Sequence, residues 1–203
     1  LFMESQELHL ATKSTTTQTG DAKARRWTRL THKRRFWIPL LVVVGIIFVA
    51  CGSTPKNQAP DFTINVFQGQ EAVGGDQVAL SQLLGTRPIV LNFWAGLCPP
   101  CRAEIPDLQM FYEDFKDQVL LLGIDLGQFT GLGTQEDAQE LLQELGVSYP
   151  AGSTENASVI PDYRVLGMPS TVFIDGNGEI FSNWTGVLNG KVLREKTLEM
   201  LNR

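Results

Sequence analysis

The sequence predicts an α/β domain with a mixed central sheet flanked by helices. Two apolar runs of strand length, residues 88–95 and 119–126, lie on either side of a helical pattern at residues 98–116. Strand, helix and strand in this order imply a right-handed crossover, and therefore parallel strands at the centre of the sheet. Residues 170–184 contain two further strands around a Gly-Asn-Gly turn, which predicts a hairpin and one antiparallel edge.

Shorter patterns complete this layout on both sides of the central strands. Residues 61–67 alternate weakly as a short strand, and residues 77–84 run from a strand end into a short helix. Residues 127–133 are predicted to form a glycine-rich loop, which lacks the spacing of a phosphate-binding loop. The remaining helical patterns cover residues 134–146, 158–165 and 191–202.

Composition and charge exclude several classes of protein. A hydrophobic fraction of 43% with 19% charged residues rules out a fibrous or globally disordered chain. The net charge of −5 is unevenly divided, because residues 1–37 carry +5 and residues 38–203 carry −10. An acidic body argues against nucleic acid as a partner. Both histidines, His9 and His32, precede the globular part.

The N-terminal quarter of the chain predicts export and membrane attachment. Residues 1–35 are basic, and we expect them to form a disordered cytoplasmic segment. Residues 36–51 form an uncharged apolar run of sixteen residues, shorter than the roughly 20 that a comfortable transmembrane helix needs. The basic flank stays in the cytoplasm, so the polar linker at residues 52–60 and the domain at residues 61–203 are expected outside.

Two kinds of attachment remain open for this segment. The sequence Phe48-Val49-Ala50-Cys51 resembles a bacterial lipobox, in which Cys51 is lipidated and becomes the new N-terminus. The alternative is an uncleaved single-pass anchor with an incidental cysteine. Either attachment tethers the domain to the extracytoplasmic side of a bacterial cell membrane.

The most informative motif is Cys98-Pro99-Pro100-Cys101, where a predicted buried strand meets a predicted helix. One face of that helix carries side chains at spacings of four and three residues: Cys101, Ile105, Leu108, Tyr112 and Phe115. Cys101 is therefore expected to point into the core. Cys98 lies at the helix start, where free N–H groups and the helix dipole favour a thiolate. The pattern predicts an exposed attacking sulfur at Cys98 and a shielded resolving sulfur at Cys101.

A metal site or a purely structural disulfide explains the cysteine pair less well than a redox-active dithiol does. A zinc site needs four ligands, and residues 61–203 contain no second CxxC and no histidine. The lack of histidine also excludes a copper-relay site. An inert disulfide that closes two residues contributes little loop entropy. A redox-active dithiol, which requires no metal and no cofactor, is the interpretation that we favour.

The segment Asn92–Glu104, with the sequence NFWAGLCPPCRAE, resembles the active-site segment of thioredoxin-fold proteins. The resemblance is greatest to the membrane-tethered TlpA/ResA-type thiol–disulfide oxidoreductases. Residues 163–171, YRVLGMPST, resemble the loop that carries the cis-proline of that fold. The resemblance implies a thioredoxin fold with an N-terminal strand extension and a central helical insertion at about residues 126–150. It also implies disulfide-containing exported proteins as substrates, a membrane thiol electron donor and a role like that in cytochrome c maturation.

The resemblance also assigns roles to five residues. It implies a cis peptide bond at Pro169 and places the backbone of Met168 opposite the disulfide, where it pairs with a substrate strand. Leu97 occupies a position that is usually Trp, which makes docking more apolar. Trp94 is expected in the core or in the wall of the substrate groove. Glu104 is a candidate for tuning the thiol pKa, and the alternative is a solvated helix carboxylate.

Three functional hypotheses follow. The first is an extracytoplasmic thiol–disulfide oxidoreductase that acts as a reductant. The second is a peroxiredoxin-like peroxidase, which shares the fold but needs Pro and Thr at positions that are Leu91 and Ala95 in this chain. The third is a non-enzymatic tethered binding module with a vestigial motif.

Overall fold

A seven-stranded mixed sheet runs through residues 57–203, the part of the chain that the computed structural model describes. Its strands are β1 (Thr63–Gln68), β2 (Gln77–Ala79), β3 (Ile89–Trp94), β4 (Leu120–Asp125), β5 (Ala151–Ser153), β6 (Ser170–Ile174) and β7 (Ile180–Thr185). They lie in the order β2-β1-β5-β4-β3-β6-β7. The central strands β3, β4 and β5 are parallel, as the strand–helix–strand pattern predicts.

Antiparallel pairs close the sheet on both sides. The hairpin of β6 and β7 pairs with β3 and forms the antiparallel edge that the sequence predicts. The expectation of a single antiparallel edge is wrong, because β1 also pairs antiparallel with both β2 and β5. β5 has three residues and no alternating pattern, so only its hydrogen bonds to two neighbouring strands define it. The N-terminal strand extension is confirmed as β1 and β2.

Helices cover both faces of the sheet. They are α1 (Gln70–Val73), α2 (Leu80–Leu83), α3 (Pro99–Phe115), α4 (Gly127–Thr130), α5 (Gln135–Glu144), α6 (Val159–Asp162) and α7 (Gly190–Leu201). The predicted helices α3, α5 and α7 are confirmed. Thr134 caps α5 and exchanges hydrogen bonds with Asp137, as its sequence pattern indicates. The expected loop at residues 127–133 is wrong in part, because its first four residues form α4.

The core has one layer on each face of the sheet. Val90 and Trp94 of β3 pack on one face with α3, α5 and α7, whereas Leu91 and Phe93 pack on the other with α2 and α6. Every residue of β3 and β4 is buried, which accounts for their continuous apolar runs.

Phe111, which the spacing does not place on the apolar face of α3, is buried, whereas Tyr112, which it does place there, is half-buried. Phe111 lies three residues after Leu108 and four before Phe115, so it fits the helical spacing as well as Tyr112 does, and packing against the sheet decides which of the two is buried. Phe111 stacks on Phe115 with 4.7 Å between ring centroids. The apolar face of α3 therefore passes through Phe111.

The predictions for the N-terminal region lie outside the described residues. They are the cytoplasmic segment 1–35, the anchor or signal 36–51, lipidation at Cys51 and the linker up to residue 56. Within residues 57–203, no helix combines the length and the apolar character needed to cross a membrane. Residues 57–59 join the sheet at the β6–β7 turn, where Gln58 bridges Glu179.

Candidate active site

A disulfide bond joins Cys98 and Cys101 at the N-terminus of α3, with 5.2 Å between their Cα atoms. Cys98 is the N-cap residue of the helix, and its Sγ accepts the backbone N–H of Cys101 at 3.3 Å. Pro99 and Pro100 occupy the first two helical positions, where a missing N–H costs nothing. This end of the helix favours negative charge on the sulfur of Cys98, as the sequence predicts.

The expected contrast in exposure between the two sulfurs is wrong. Cys98 is 3% exposed and Cys101 is 1% exposed, so both belong to the apolar core. The bond to Cys101, which lies on the inner face of α3, holds the Cys98 sulfur against the same cluster. The two residues therefore differ in position along the helix, but not in burial in the oxidised state.

Three loops meet at this end of the sheet and carry exposed apolar side chains. The loop after β3 carries Leu97, the loop before β6 carries Leu166 and the loop after β7 carries Val187. These side chains are 59%, 87% and 47% exposed, respectively. We call these three residues the apolar rim. Large apolar side chains exposed in this way are typical of a surface that binds another protein.

The loop before β6 has the geometry that the resemblance implies. The peptide bond between Met168 and Pro169 is cis, which confirms that prediction. Met168 is half-buried and packs against the cluster that contains both cysteines. Within the described residues, its backbone makes no hydrogen bond, whereas the Pro169 carbonyl accepts the N–H of Gly186 at 2.8 Å. The Met168 backbone is thus free to pair with an incoming strand.

Trp94 is fully buried in the core, so it does not line the substrate groove. It is the last residue of β3, and its indole faces Gly123 of β4. A side chain at Gly123 would meet the indole nitrogen at 2.9 Å, so glycine is needed for this close packing. The role of Trp94 is to pack the strand that leads to the disulfide.

Glu104 is 1% exposed, so the alternative of a solvated helix carboxylate is wrong. Its Oε1 accepts the side-chain amide of Asn92 at 2.7 Å, and its Oε2 accepts the backbone N–H of Leu188 at 2.5 Å. Burial raises the pKa of Glu104 to about 7, although these two hydrogen bonds favour the ionised form. Glu104 lies one helical turn beyond Cys101 on the buried side of α3. It can therefore hold a proton near neutral pH at a position one helical turn from Cys101.

Asp125 is a second buried carboxylate, which the sequence analysis missed. It ends β4, is 1% exposed and accepts the N–H of Gly127 at 3.1 Å. Burial raises the pKa of Asp125 to about 6, although N–H groups of Gly127 and Gly96 oppose that shift. A titratable residue at the end of an otherwise apolar strand is the sequence signal that points to this position. Leu166, Val187 and Leu188 were also missed, because only the meeting of three loops brings them to the site.

Comparison with known proteins agrees with this geometry. The sequence profile of the AhpC/TSA family matches residues 55–182. This chain belongs to the AhpC/TSA family. One relative of this AhpC/TSA protein, the thiol-disulfide oxidoreductase ResA of Oceanobacillus iheyensis, is 33% identical over 150 residues, covering 70% of this chain and 74% of the relative. The thiol:disulfide interchange protein HelX of Rhodobacter capsulatus is 28% identical over 176 residues, which cover 81% of this chain and 93% of HelX.

Solved structures support the fold of this AhpC/TSA protein. The crystal structure of StoA from Bacillus subtilis matches with a TM-score of 0.56 and 21% identity, over 68% of this chain and 97% of StoA. The fold is thioredoxin-like, with the N-terminal strands and the insertion in their expected places. Together with the relatives, this assigns the chain as a thiol–disulfide oxidoreductase of the ResA/TlpA type. The hypothesis of a non-enzymatic module is therefore not supported.

Proposed function

We propose that Cys98 and Cys101 are the catalytic residues, and that the protein reduces disulfide bonds in partner proteins. The observation that carries this proposal is the disulfide at the N-cap of α3, next to the apolar rim and the Met168–Pro169 peptide. Cys98 is the attacking thiol because it alone of the pair lies at the helix end, where N–H groups stabilise its thiolate.

The exchange proceeds in two steps that conserve electrons. The Cys98 thiolate attacks one sulfur of the substrate disulfide, forms a mixed disulfide and expels the other substrate sulfur as a thiolate. The Cys101 thiolate then attacks the Cys98 sulfur and releases the second substrate thiolate. Both substrate thiolates take up protons. Two electrons pass to the substrate, and the Cys98–Cys101 disulfide remains.

Glu104 supports the second step as a pKa-tuning residue. Cys101 must lose its proton before it attacks, and its surroundings are apolar. The Glu104 carboxylate, whose pKa is about 7, can take up that proton and hold it inside the protein. Its hydrogen bonds to Asn92 and Leu188 fix its position between β3 and the loop after β7.

The substrate docks as an extended segment across the apolar rim. The backbone of Met168 supplies hydrogen bonds to that segment, and Leu97, Leu166 and Val187 contact its apolar side chains. This arrangement recognises an extended strand with a cysteine and does not require a particular sequence. The substrates are disulfide-containing exported proteins, and the apoproteins of c-type cytochromes are one such class.

The working location is the extracytoplasmic side of the membrane. Residues 36–51 anchor the domain, or Cys51 carries a lipid that does so, and the basic residues before them remain in the cytoplasm. Disulfides persist outside the cytoplasm, so a reductant is needed there. A membrane thiol donor returns two electrons to the Cys98–Cys101 disulfide after each cycle.

Trapping with serine variants tests the roles of the two cysteines. Cys101→Ser removes the resolving thiol and should leave mixed disulfides between Cys98 and native partners. Cys98→Ser should trap almost none, because Cys101 lies inside the first helical turn and lacks the helix-end N–H donor that Cys98 has. Both variants are made with Cys51→Ser, so that no third thiol forms adducts. Equal trapping by the two variants, measured by mass spectrometry of reductant-sensitive adducts, would contradict the assignment.

Two further measurements separate the remaining alternatives. Protease added outside intact cells should degrade the domain, and Cys51→Ala should lose a lipid label only if the protein is a lipoprotein. A domain that stays protected until the cells are lysed would contradict the location. Turnover of hydrogen peroxide as fast as reduction of a protein disulfide would instead favour the peroxidase.

A further inference from the structure

Arg164 is a charged residue in the loop that carries the cis-proline. It follows Tyr163, the C-cap of α6, and its side chain is exposed. Leu166, two residues further on, is 87% exposed and belongs to the apolar rim. The Cα atoms of two residues with this separation lie no more than about 7 Å apart. Arg164 therefore places a positive charge beside the Leu166 end of the apolar rim.

The charge of Arg164 has no partner within residues 57–203. Of the eight Lys and Arg residues in this range, it alone has a side chain with neither an ion pair nor a hydrogen bond there. Arg87 donates to the carbonyl of Lys116 at 2.7 Å. The others form ion pairs: Arg102, Lys116, Lys191, Arg194, Lys196 and Arg203. The same range contains 19 Asp and Glu residues, so this lack of a partner is not due to a shortage of carboxylates.

The backbone at Arg164 gives no local reason for an arginine. Its φ is 55°, in the left-handed region, and no other residue except glycine has a positive φ within residues 57–203. This conformation closes α6, because the N–H of Val165 donates to the carbonyl of Ile160 at 2.8 Å. Glycine adopts it freely, whereas a residue with a side chain is disfavoured there. The side chain is therefore available for a function outside the domain.

The Leu97 end of the apolar rim carries the opposite charge. A Cβ atom at Gly133 would lie 3.1 Å from Cγ of Leu97 and 3.3 Å from Cβ of Asp137, so Leu97 and Asp137 are neighbours. The Asp137 carboxylate accepts the N–H of Thr134 at 2.8 Å, which holds it in place. An acidic side chain of a docked segment is thus repelled at the Leu97 end and attracted at the Leu166 end.

We propose that Arg164 is a specificity-determining residue, which binds a carboxylate of the partner protein next to the disulfide that is reduced. A guanidinium is planar and always charged, and it can donate two parallel hydrogen bonds to one carboxylate. The preferred substrates are proteins whose reactive cysteine lies in an apolar segment with an Asp or Glu that docks at the Leu166 end. This inference rests on the proposed function, because it requires a segment that docks across the apolar rim.

The charge of the whole domain opposes this preference. Residues 38–203 carry a net charge of −10, which attracts cationic segments and repels acidic ones from a distance. A preference for acidic substrates therefore requires a local cation at the docking surface. For this reason, the sign of the preference tests the role of Arg164.

Reduction of matched peptides measures the preference. Each peptide has the same apolar sequence with one cysteine, blocked as a 2-thiopyridyl disulfide, and carries Glu, Gln or Lys at one position within three residues of that cysteine. The dithiol of the full-length protein, with Cys51→Ser to remove the third thiol, gives two electrons to this disulfide and releases pyridine-2-thione and the peptide thiol. At the best position, the Glu peptide should react about three- to tenfold faster than the Lys peptide at low salt. Added salt should lower this ratio towards one.

Variants of Arg164 identify the source of the preference. Arg164→Gln should abolish it, and Arg164→Glu should reverse it in favour of the Lys peptide. Both variants should reduce the Gln peptide within about twofold of the rate of the protein that retains Arg164, because this residue takes no part in the exchange of sulfurs. The matched control Arg203→Gln removes the same charge at the other end of β6, where Arg203 pairs with Asp175, and should keep the preference.

Two results of these measurements would overturn the proposal. One is equal rates for the Glu and Lys peptides in the protein that retains Arg164, and the other is a preference for Glu that survives in Arg164→Gln. Arg164→Gly should lose the preference but unfold at a temperature no lower than before, because glycine suits this backbone conformation. A lower unfolding temperature would mean that the arginine supports the fold, which would contradict the proposal.

The outcomes also separate this inference from the proposed function. If all peptides are reduced without regard to charge, only the inference about Arg164 is wrong. If no peptide is reduced, including the Gln peptide, the proposed function is wrong. Binding to the oxidised protein of the same peptides with Ser in place of Cys then decides the role of Arg164. The NMR signal of its side-chain N–H should shift with the Glu peptide and not with the Gln peptide, and no shift with either would overturn the inference.

Discussion

Glu104 and Asp125 are both 1% exposed and both have raised pKa values, but they connect different parts of the molecule. Glu104 projects from α3 and accepts a side-chain donor from the central strand β3 and a backbone donor from the loop after β7. Asp125 ends β4 and accepts the backbone N–H of Gly127, only two residues away, at the start of the insertion. The Glu104 carboxylate joins parts of the core that are distant in the chain, whereas the Asp125 carboxylate makes a local bond where β4 leads into the insertion.

Because of this difference, we expect removal of the two carboxylates to have different effects on the stability of the domain. The donors of Glu104 cannot reach solvent without disrupting β3 or the start of α7, so its loss should lower the stability of the whole domain. The donor of Asp125 is two residues away in the chain, so the loss of this carboxylate should mainly affect the local backbone at the start of the insertion.

The largest expected effect is that of Glu104→Ala. It leaves the N–H of Leu188 without a partner and opens a cavity against β3, so we expect a loss of about 4 kcal/mol in the free energy of unfolding. Asp125→Ala should lose only about 2 kcal/mol, since its side chain is shorter and makes a single hydrogen bond, to Gly127. Urea unfolding of both oxidised variants at pH 4.5, where the protonated carboxyls still contribute most of their stability, measures the difference. Equal losses would remove the distinction between the two sites.

The pH dependence of stability should distinguish the two carboxylates. The pKa of Glu104 rises from its ordinary value of 4.5 to about 7 on folding, so between these values the folded protein holds a proton that the unfolded chain has released. The stability from this group is complete below pH 4.5 and is lost as the pH rises through 7, by at most about 3 kcal/mol.

Glu104→Gln should remove this pH-dependent loss of stability. The loss that remains should be the smaller one due to Asp125, whose pKa rises from 3.8 to about 6 on folding. Urea unfolding of the oxidised protein from pH 4 to pH 8 provides the measurement. A Glu104→Gln protein that still loses stability between pH 6 and pH 7 would show that another group is responsible.

Gly96→Ala should disrupt the packing of residues 95–98, the redox loop, against α5. The new Cβ atom would lie 2.5 Å from the backbone of Ala138, so the redox loop and α5 must separate, at a cost of about 2 kcal/mol. Gly176→Ala is the matched control, because a Cβ atom at that position would meet nothing within 4 Å, and we expect less than about 0.5 kcal/mol. Thermal unfolding of the oxidised proteins compares them. Similar effects of the two changes would argue against the tight packing of redox loop and insertion.

The smallest effect should come from a surface contact between α3 and α5. Arg102 of α3 forms an ion pair with Glu144 of α5, but the two side chains are 46% and 60% exposed. Exposed ion pairs are screened by water and salt and add little stability. Arg102→Ala should therefore leave the midpoint of urea unfolding unchanged within error. A clear decrease at low salt would mean that charge, rather than backbone packing, holds α5 against α3.

The amino-acid sequence by itself determined the central part of this protein. The apolar runs of β3 and β4 predict buried parallel strands because only a strand covered on both faces buries every side chain. The position of the CxxC motif between β3 and α3 predicts a disulfide at a helix N-terminus, and local backbone geometry there makes Cys98 the N-cap. The likeness of residues 163–171 to a known loop was enough to predict the cis peptide bond at Pro169.

Only the tertiary structure decided which polar groups are buried together. Burial of Glu104 depends on Asn92 and Leu188, which lie 12 and 84 residues away in the chain, and Asp125 is buried where β4 leads into the insertion. Tertiary packing also decides that Cys98 is buried, and that Phe111 rather than Tyr112 lies on the inner face of α3. Periodicity describes one element at a time, whereas the solvation of a charge or a sulfur depends on every element packed around it.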